Sequence, residues 1–301
     1  MRLIVCDPVD PEAVEAMREG GIDVDVNDDV TPEELEQIIP DYEAMVVRSR
    51  TKVREPLIDK ATNLKAIIRA GVGLDNIDVE YAEENGIEVR NTPAASSNAV
   101  AELTVGYLLA LARPIAQATM SMKEGKWEKK KLKGTELAGK TLGLIGCGRI
   151  GSLVAEKAEC LGMKVLLFDC RPNIDLACAT QIDKDELLEQ SDYISLHVPH
   201  TPDTHYIIGE EEFARMKDGV KIINCGRGGT LDEDALLEAI ESGKVAGAAL
   251  DVYEDEAEER GQKLMRRPEV IGSPHVGAGT VEAKERVGEE TARIAIEIAN
   301  R

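Results

Sequence analysis

Eleven short aliphatic runs, separated almost throughout by helix-forming stretches, constrain this chain more than any other feature of its sequence. Five fall at 3–6, 24–26, 44–47, 66–69 and 87–89, and six more at 141–146, 164–169, 193–197, 221–224, 245–250 and 270–271. The runs are nearly continuous in Val, Ile, Leu and Ala instead of alternating with polar residues, as in parallel strands covered by helices on both faces. Helix starts are legible between them. Pro11 suits a first helical position, and Thr31-Pro32-Glu33-Glu34 reads as a capped start. Aromatic residues make up only 3% of the chain, so the cores have to be aliphatic. A length of 301 residues predicts two domains, each a doubly wound parallel sheet of α/β class. Between the two series an Ala/Leu/Val helix is expected from Ser97 to about Arg113, and a lone amphipathic helix closes the chain over 280–301.

The second series opens on Gly146-Cys147-Gly148-Arg149-Ile150-Gly151, directly after the run 141–145 and before a helix reaching about Leu161. Strand before and helix after are the context this spacing requires. Gly146 permits the tight turn, Gly148 lets backbone approach a pyrophosphate, and Gly151 lets helix and strand pack closely. The free N–H groups of the helix start favour an anion. Eighteen residues beyond Gly151 the next run ends at Asp169, placed to accept the adenosine ribose hydroxyls and to repel a 2′-phosphate. NAD is therefore the expected cofactor, with Arg171 as a nearby cation that softens the preference over NADP.

Composition removes other classes. A net charge of −21 disfavours nucleic acid and anionic membrane as partners. No run of 18 apolar residues occurs, and the apolar start is too short for a signal peptide, so a cytoplasmic protein is expected. The six cysteines show no C-x-x-C pair, which argues for reduced thiols, and no metal-ligand spacing appears. A chain this acidic that binds an anionic substrate has to concentrate positive charge locally.

Of four histidines, His197 ends a strand, and His200 and His205 lie in a polar Pro/Thr loop. His275 stands in Ser273-Pro274-His275-Val276-Gly277-Ala278-Gly279-Thr280, a loop whose proline and glycines can hold an imidazole for proton transfer. Asn224-Cys225-Gly226-Arg227-Gly228-Gly229 follows a strand, and its glycines leave the Arg227 guanidinium room to fork onto a carboxylate. Leu250-Asp251-Val252-Tyr253-Glu254-Asp255-Glu256 offers carboxylates at the end of another strand, and a carboxylate beside a proton-transferring histidine holds its tautomer.

In this order the segments G-C-G-R-I-G, Asp169, H-V-P-H-T-P, N-C-G-R-G-G, L-D-V-Y-x-x-E and S-P-H-V-G-A resemble the D-isomer-specific 2-hydroxyacid dehydrogenases over nearly the whole chain. Within that family the likeness is greatest to the D-3-phosphoglycerate dehydrogenase branch. It is carried by residues 47–51, 69–76 and 117–139. The resemblance implies a Rossmann NAD-binding domain over 94–280 and a smaller flavodoxin-like substrate domain from 1–93 plus 281–301, with substrate in the cleft. It implies catalysis by Arg227, Glu256 and His275: His275 exchanging the hydroxyl proton, Glu256 pairing with it, Arg227 orienting the acid. Matching positions for NAD are Val72, Gly146, Gly148, Arg149, Ile150, Gly151, Asp169, Val198, Cys225, Gly226, Asp251, Gly277 and Ala278.

For the substrate, a small anionic 2-hydroxy or 2-oxo acid, the resemblance points to Gly71, Val72 and Gly73 beside Arg227 and His275. Arg48, Ser49, Arg50, Lys129 and Lys131 are further substrate candidates. The last two belong to a group of six lysines within residues 123–133, which the family brings close to a neighbouring subunit's site. A homodimer or homotetramer is expected. The reaction implied is NAD-dependent oxidation of D-3-phosphoglycerate to 3-phosphohydroxypyruvate, opening phosphorylated serine biosynthesis. A glyoxylate or hydroxypyruvate reductase is the sister alternative, and an NAD-sensing, corepressor-like binding protein is the alternative from another class. Two departures stand out: Ala257 replaces the proline usual after the glutamate, leaving Glu254 as the other carboxylate for His275, and Gly226 stands where alanine is commoner. The chain ends without the regulatory domains of longer members, as a natural short form or a catalytic fragment.

Overall fold

The computed structural model describes residues 1–255 and 263–301, and the chain divides into two compact units: Met1–Ser96 with Ala278–Arg301, and Ser97–Gly277. In the first unit, strands β1 (Arg2–Val5), β2 (Asp23–Val26), β3 (Ala44–Val47), β4 (Ala66–Arg69) and β5 (Glu88–Asn91) form one all-parallel sheet in the order β2-β1-β3-β4-β5. Helices α1 (Pro11–Glu19), α2 (Pro32–Ile38), α3 (Glu55–Lys60) and α4 (Val79–Glu84) connect them. This is the flavodoxin-like order, and chain reversal between β1 and β3 opens a crevice at their carboxyl ends.

Alternation along each strand divides the core. Ile4, Met45 and Ile67 face Leu35, Leu57, Ile58 and Ala82 on one side. Leu3, Val46 and Ile68 face Ala13, Val14, Met17, Ala292 and Ile294 on the other. Local signals act as their chemistry demands. The Thr31 hydroxyl accepts the Glu34 N–H at 3.3 Å while the Glu34 carboxylate accepts the Thr31 N–H at 3.0 Å, closing a capping box.

The second unit begins with α5 (Ser97–Ala112) and α6 (Ile115–Lys123), followed by β6 (Thr141–Ile145), α7 (Arg149–Cys160), β7 (Lys164–Phe168) and β8 (Thr180–Gln181). Helix α8 (Lys184–Gln190), β9 (Tyr193–Leu196), α9 (Glu210–Arg215), β10 (Val220–Asn224), α10 (Glu233–Glu241), β11 (Val245–Leu250) and β12 (Val270–Gly272) complete it. The parallel sheet runs β12-β11-β10-β9-β6-β7-β8, the Rossmann order with one strand added beyond β11. It holds seven strands where the sequence reading expected six. The strand that the sequence reading did not expect, β8, is two residues long, pairs only with β7 at an edge, and carries no apolar run. Leu144, Leu167 and Ile223 pack toward α5 and α7, and Ile145, Leu166 and Ile222 toward α8, α9 and α10. The chain thus covers both faces of the sheet, leaving the loops at its carboxyl edge to carry chemistry. Helix α11 (Val281–Ala299) follows, within the first unit. Among the described residues no single helix is long and apolar enough to cross a membrane.

Candidate active site

The switch point of the second sheet lies between β6 and β9, where the chain winds off in opposite directions. Gly146 leaves β6 with φ +93°, and a Cβ there would come within 2.6 Å of the His197 carbonyl oxygen beyond β9. A Cβ on Gly151 would lie 2.3 Å from the Gly146 carbonyl oxygen. These two glycines are therefore obligatory for packing. Gly148 differs: the space in front of it is open, and it begins α7 without any side-chain cap. An open approach to backbone at the uncapped start of a twelve-residue helix fits a dinucleotide diphosphate. Arg149 and Ile150 form the first turn over this opening.

Asp169, beyond β7, has a largely buried side chain that accepts the Cys147 N–H at 2.8 Å. It is also held in a fork by Arg171, whose Nε and Nη2 donate to Oδ1 and Oδ2, each at 2.9 Å. Arg171 Nη2 reaches the Cys147 carbonyl as well, at 2.9 Å. The guanidinium holds the Asp169 carboxyl well below the usual carboxylate range. The acid expected to receive ribose hydroxyls is thus engaged by a cation of its own loop. His197 and Val198 follow β9. The His197 Nε2 lies 2.9 Å from the Ser195 hydroxyl, and burial pushes the imidazole pKa down to about 4.

At β10, buried Asn224 organises the next loop. Its Oδ1 accepts the Gly226 N–H at 3.0 Å, and its Nδ2 donates to the Arg227 carbonyl at 3.0 Å. Thr230 donates to the same carbonyl at 2.7 Å. Half-buried Arg227 directs Nη1 to the Gly226 carbonyl at 2.8 Å. A Cβ on Gly228 would lie only 1.8 Å from the Tyr253 carbonyl oxygen, so the Arg227 loop rests directly on the backbone after β11. Cys225 is buried, its thiol pushed up to about 12, and is inert as a nucleophile. A Cβ on Gly226 would lie 3.1 Å from the Leu196 carbonyl, so an alanine there would need a few tenths of an ångström more room.

Asp251, 1% exposed, takes its backbone N–H to the Asn224 carbonyl at 2.9 Å, joining the ends of β10 and β11. Its carboxylate accepts the Ser273 hydroxyl, the Val276 N–H at 2.8 Å and the Gly277 N–H at 2.8 Å. Those donors bracket His275, an exposed residue with φ +52° whose N–H donates to the Ser273 carbonyl at 3.0 Å. Loops bearing Arg227 and His275 thus hang from Asn224 and Asp251, one residue apart in strand register. Glu256 lies outside the described residues. Glu254 accepts the Tyr206 hydroxyl at 2.7 Å. Ala278 begins the segment returning to the first unit.

In the first unit, the crevice between β1 and β3 is organised by buried Asp7, which accepts the Arg48 N–H, the Thr51 hydroxyl at 2.9 Å and Arg50 Nε at 2.9 Å. Arg50 also reaches the carbonyls of Val30, Asp28 and Cys6, so every nitrogen of its guanidinium has a structural acceptor. Arg48 donates one nitrogen to the Pro8 carbonyl at 3.1 Å, and Ser49 is exposed. Gly71 has φ +150°, and a Cβ there would overlap the Arg69 guanidinium. The Val72 carbonyl accepts Asn91 Nδ2 at 2.6 Å, and Gly73 is half-buried. In the second unit Lys129 and Lys131 are exposed, with Lys131 paired to Glu128 at 2.8 Å. Among the described residues no group of three His, Cys, Asp or Glu side chains could hold a metal.

Sequence reasoning had no signal for Asn224, Gly228, Tyr107 or Ser273 as organisers. Gly228, Tyr107 and Ser273 meet segments brought to them by strand order, whereas the Asn224 side chain organises its own loop and only its carbonyl reaches Asp251.

Comparison with known proteins gives consistent matches. The family described as "D-isomer specific 2-hydroxyacid dehydrogenase, NAD binding domain" matches residues 105–277. The hydroxypyruvate reductase of Thermotoga maritima is 52% identical over 293 residues, covering 96% of this chain and 95% of that protein. The D-3-phosphoglycerate dehydrogenase of Archaeoglobus fulgidus is 47% identical, covering 96% of this chain and 55% of that protein, so this chain spans about half of that longer relative. Among solved structures, the D-lactate dehydrogenase of Aquifex aeolicus complexed with NAD and lactic acid superposes with a TM-score of 0.89 at 34% identity, covering 100% of this chain and 96% of that one.

Proposed function

Since this chain belongs to the D-isomer-specific 2-hydroxyacid dehydrogenase family, whose matched domain binds NAD, we propose that it oxidises D-3-phosphoglycerate to 3-phosphohydroxypyruvate. When bound, NAD supplies the hydride acceptor. The Gly148 backbone and the start of α7 hold the diphosphate, with Asp169 at the adenosine ribose and Val198, Cys225, Gly226, Asp251, Gly277 and Ala278 along the remainder. Arg227 forks onto the substrate carboxylate and orients its C2. His275 takes the proton of the 2-hydroxyl, with Glu256 as its carboxylate partner. Gly71, Val72 and Gly73 offer backbone to the acid, and Arg48, Ser49, Lys129 and Lys131 offer phosphate contacts. Arg50 is a weaker candidate because its nitrogens already have acceptors.

The observation that carries the phosphorylated substrate is the concentration of six lysines in residues 123–133 of a chain with net charge −21. A dianionic ester needs such a local excess of positive charge. Exposed Ile115, Met120, Met122 and Trp127 in and after α6 support association of copies of this chain.

A second reading, hydroxypyruvate reduction, is favoured by the match to the Thermotoga maritima protein, which is nearly equal in length. At the same oxidation level, the oxo acids of the two readings, 3-phosphohydroxypyruvate and hydroxypyruvate, differ by one phosphate. NADH formation with D-3-phosphoglycerate, compared with D-glycerate, D-lactate and the reverse reactions of hydroxypyruvate and glyoxylate, decides between them. Preference for the phosphorylated acid is expected. Preference for unphosphorylated hydroxypyruvate would replace this reading with the reductase, and no turnover with any acid would refute both.

A further inference from the structure

Tyr107 lies on α5, 166 residues from Ser273 in sequence, yet its hydroxyl is 2.5 Å from the Ser273 Oγ. It is 8% exposed, and burial pushes the phenol well above its ordinary pKa, so it remains a proton donor at any working pH. The Ser273 hydroxyl has one proton and donates it to the Asp251 carboxylate. Ser273 therefore accepts from Tyr107, and the chain of hydrogen bonds has a fixed direction: Tyr107 to Ser273 to Asp251.

Asp251 in turn accepts the N–H groups of Val276 and Gly277, while the Ser273 carbonyl accepts the N–H of His275. His275 is therefore gripped on both sides by members of one network. Its φ of +52° is unfavourable for a non-glycine residue and persists only when neighbouring structure enforces it. Gly277 adds to that enforcement, since any Cβ would press to 2.9 Å on Asp251 Oδ2 and 3.3 Å on Val100 of α5.

We propose that Tyr107 is a positioning residue for the reaction, acting through Ser273 and Asp251 to hold the His275 loop in its strained, productive backbone conformation. This rests on the reading that His275 exchanges the substrate proton. Tyr107 itself touches neither substrate nor cofactor in this role.

Tyr107→Phe removes the donor and keeps the ring, and Ser273→Ala removes the link while sparing the helix. Both are measured with His275→Ala on the intact chain, using turnover per NAD-binding site, KM for NAD and the pH profile of kcat. Each of the first two is expected to lower kcat about tenfold, a loss typical of one aligned hydrogen bond, with KM for NAD changed less than about twofold. The pH profile of kcat should differ from that of the wild type. The double variant should lose no more than either single one, because the chain acts as a unit. Ser273→Thr, which keeps the hydroxyl, should recover most of the loss. A Tyr107→Phe protein with wild-type kcat and pH profile, beside an inactive His275→Ala, would overturn the proposal. So would losses that multiply in the double variant. Turnover surviving in His275→Ala would instead sink the functional reading on which it rests.

Discussion

Asp251 and Gly277 are fitted to one another at both the polar and the steric level. The Asp251 Oδ2 accepts the Gly277 N–H at 2.8 Å, and a methyl group on Gly277 would stand 2.9 Å from that same oxygen. The carboxylate is buried at the end of β11, so it has little freedom to retreat. A glycine here is required by close approach, and the approach is what fastens the His275 loop to the sheet.

Gly277→Ala is accordingly expected to displace the loop, lowering kcat at least tenfold while costing about 1–3 kcal/mol of stability, the range for forced overpacking. Gly228→Ala should cost more, because its Cβ would meet backbone, the Tyr253 carbonyl, at 1.8 Å. Turnover together with urea denaturation checks both. Wild-type stability in Gly228→Ala would contradict the geometry.

Arg227→Lys should reduce kcat/KM for the acid by about 100-fold with NAD affinity nearly unchanged. An ammonium offers a point charge where a planar fork is needed to fix the carboxylate. Steady-state kinetics varying each substrate separately test this; a lysine variant of near-normal kcat/KM would remove the bidentate role.

The Arg171 fork on Asp169 predicts a conditional change of cofactor. Asp169→Ala should raise KM for NAD about tenfold and release the guanidinium, which then accommodates a 2′-phosphate. Measurable NADP turnover should follow, and Asp169→Ala with Arg171→Ala should abolish it. NADP activity that survives in the double variant would assign it elsewhere.

His197 predicts a pH dependence of stability. Its folded pKa near 4 lies below the ordinary 6.5, so above pH 6.5 both folded and unfolded states hold it neutral. As pH falls from 6.5 toward 4 the unfolded state binds the proton and the folded state does not, and stability declines, by about 1.4 kcal/mol per pH unit at most. Asp169, with its folded pKa depressed, contributes stability present above its unfolded pKa and lost only at more acid pH. Urea midpoints of wild type and His197→Asn between pH 7 and 4.5 should therefore converge as pH falls. Parallel curves would show that His197 does not titrate across folding in this way.

Much of the architecture was readable because it depends on short-range order. An apolar run with glycine and proline punctuation specifies a buried parallel strand whatever lies elsewhere, and Thr31 caps α2 through residues three apart. The strand β8 escaped because two polar residues at an edge carry no periodic signal. Gly146 and Gly151 were readable because the turn and the helix they serve are their immediate neighbours.

By itself the sequence determined the α/β class, the parallel sheets, the glycine-rich turn for NAD and the residue types available for chemistry. Tertiary structure alone decided which of those residues have partners. Strand order joins Asn224 to Asp251 and sets α5 over β11, so that Tyr107 meets Ser273. It also sends Arg50 to Asp7 and the backbone, and Arg171 to the Cys147 carbonyl. A side chain's periodicity reports which face it occupies, but a hydrogen bond forms only within about 3 Å, and that proximity is set by segments distant in sequence.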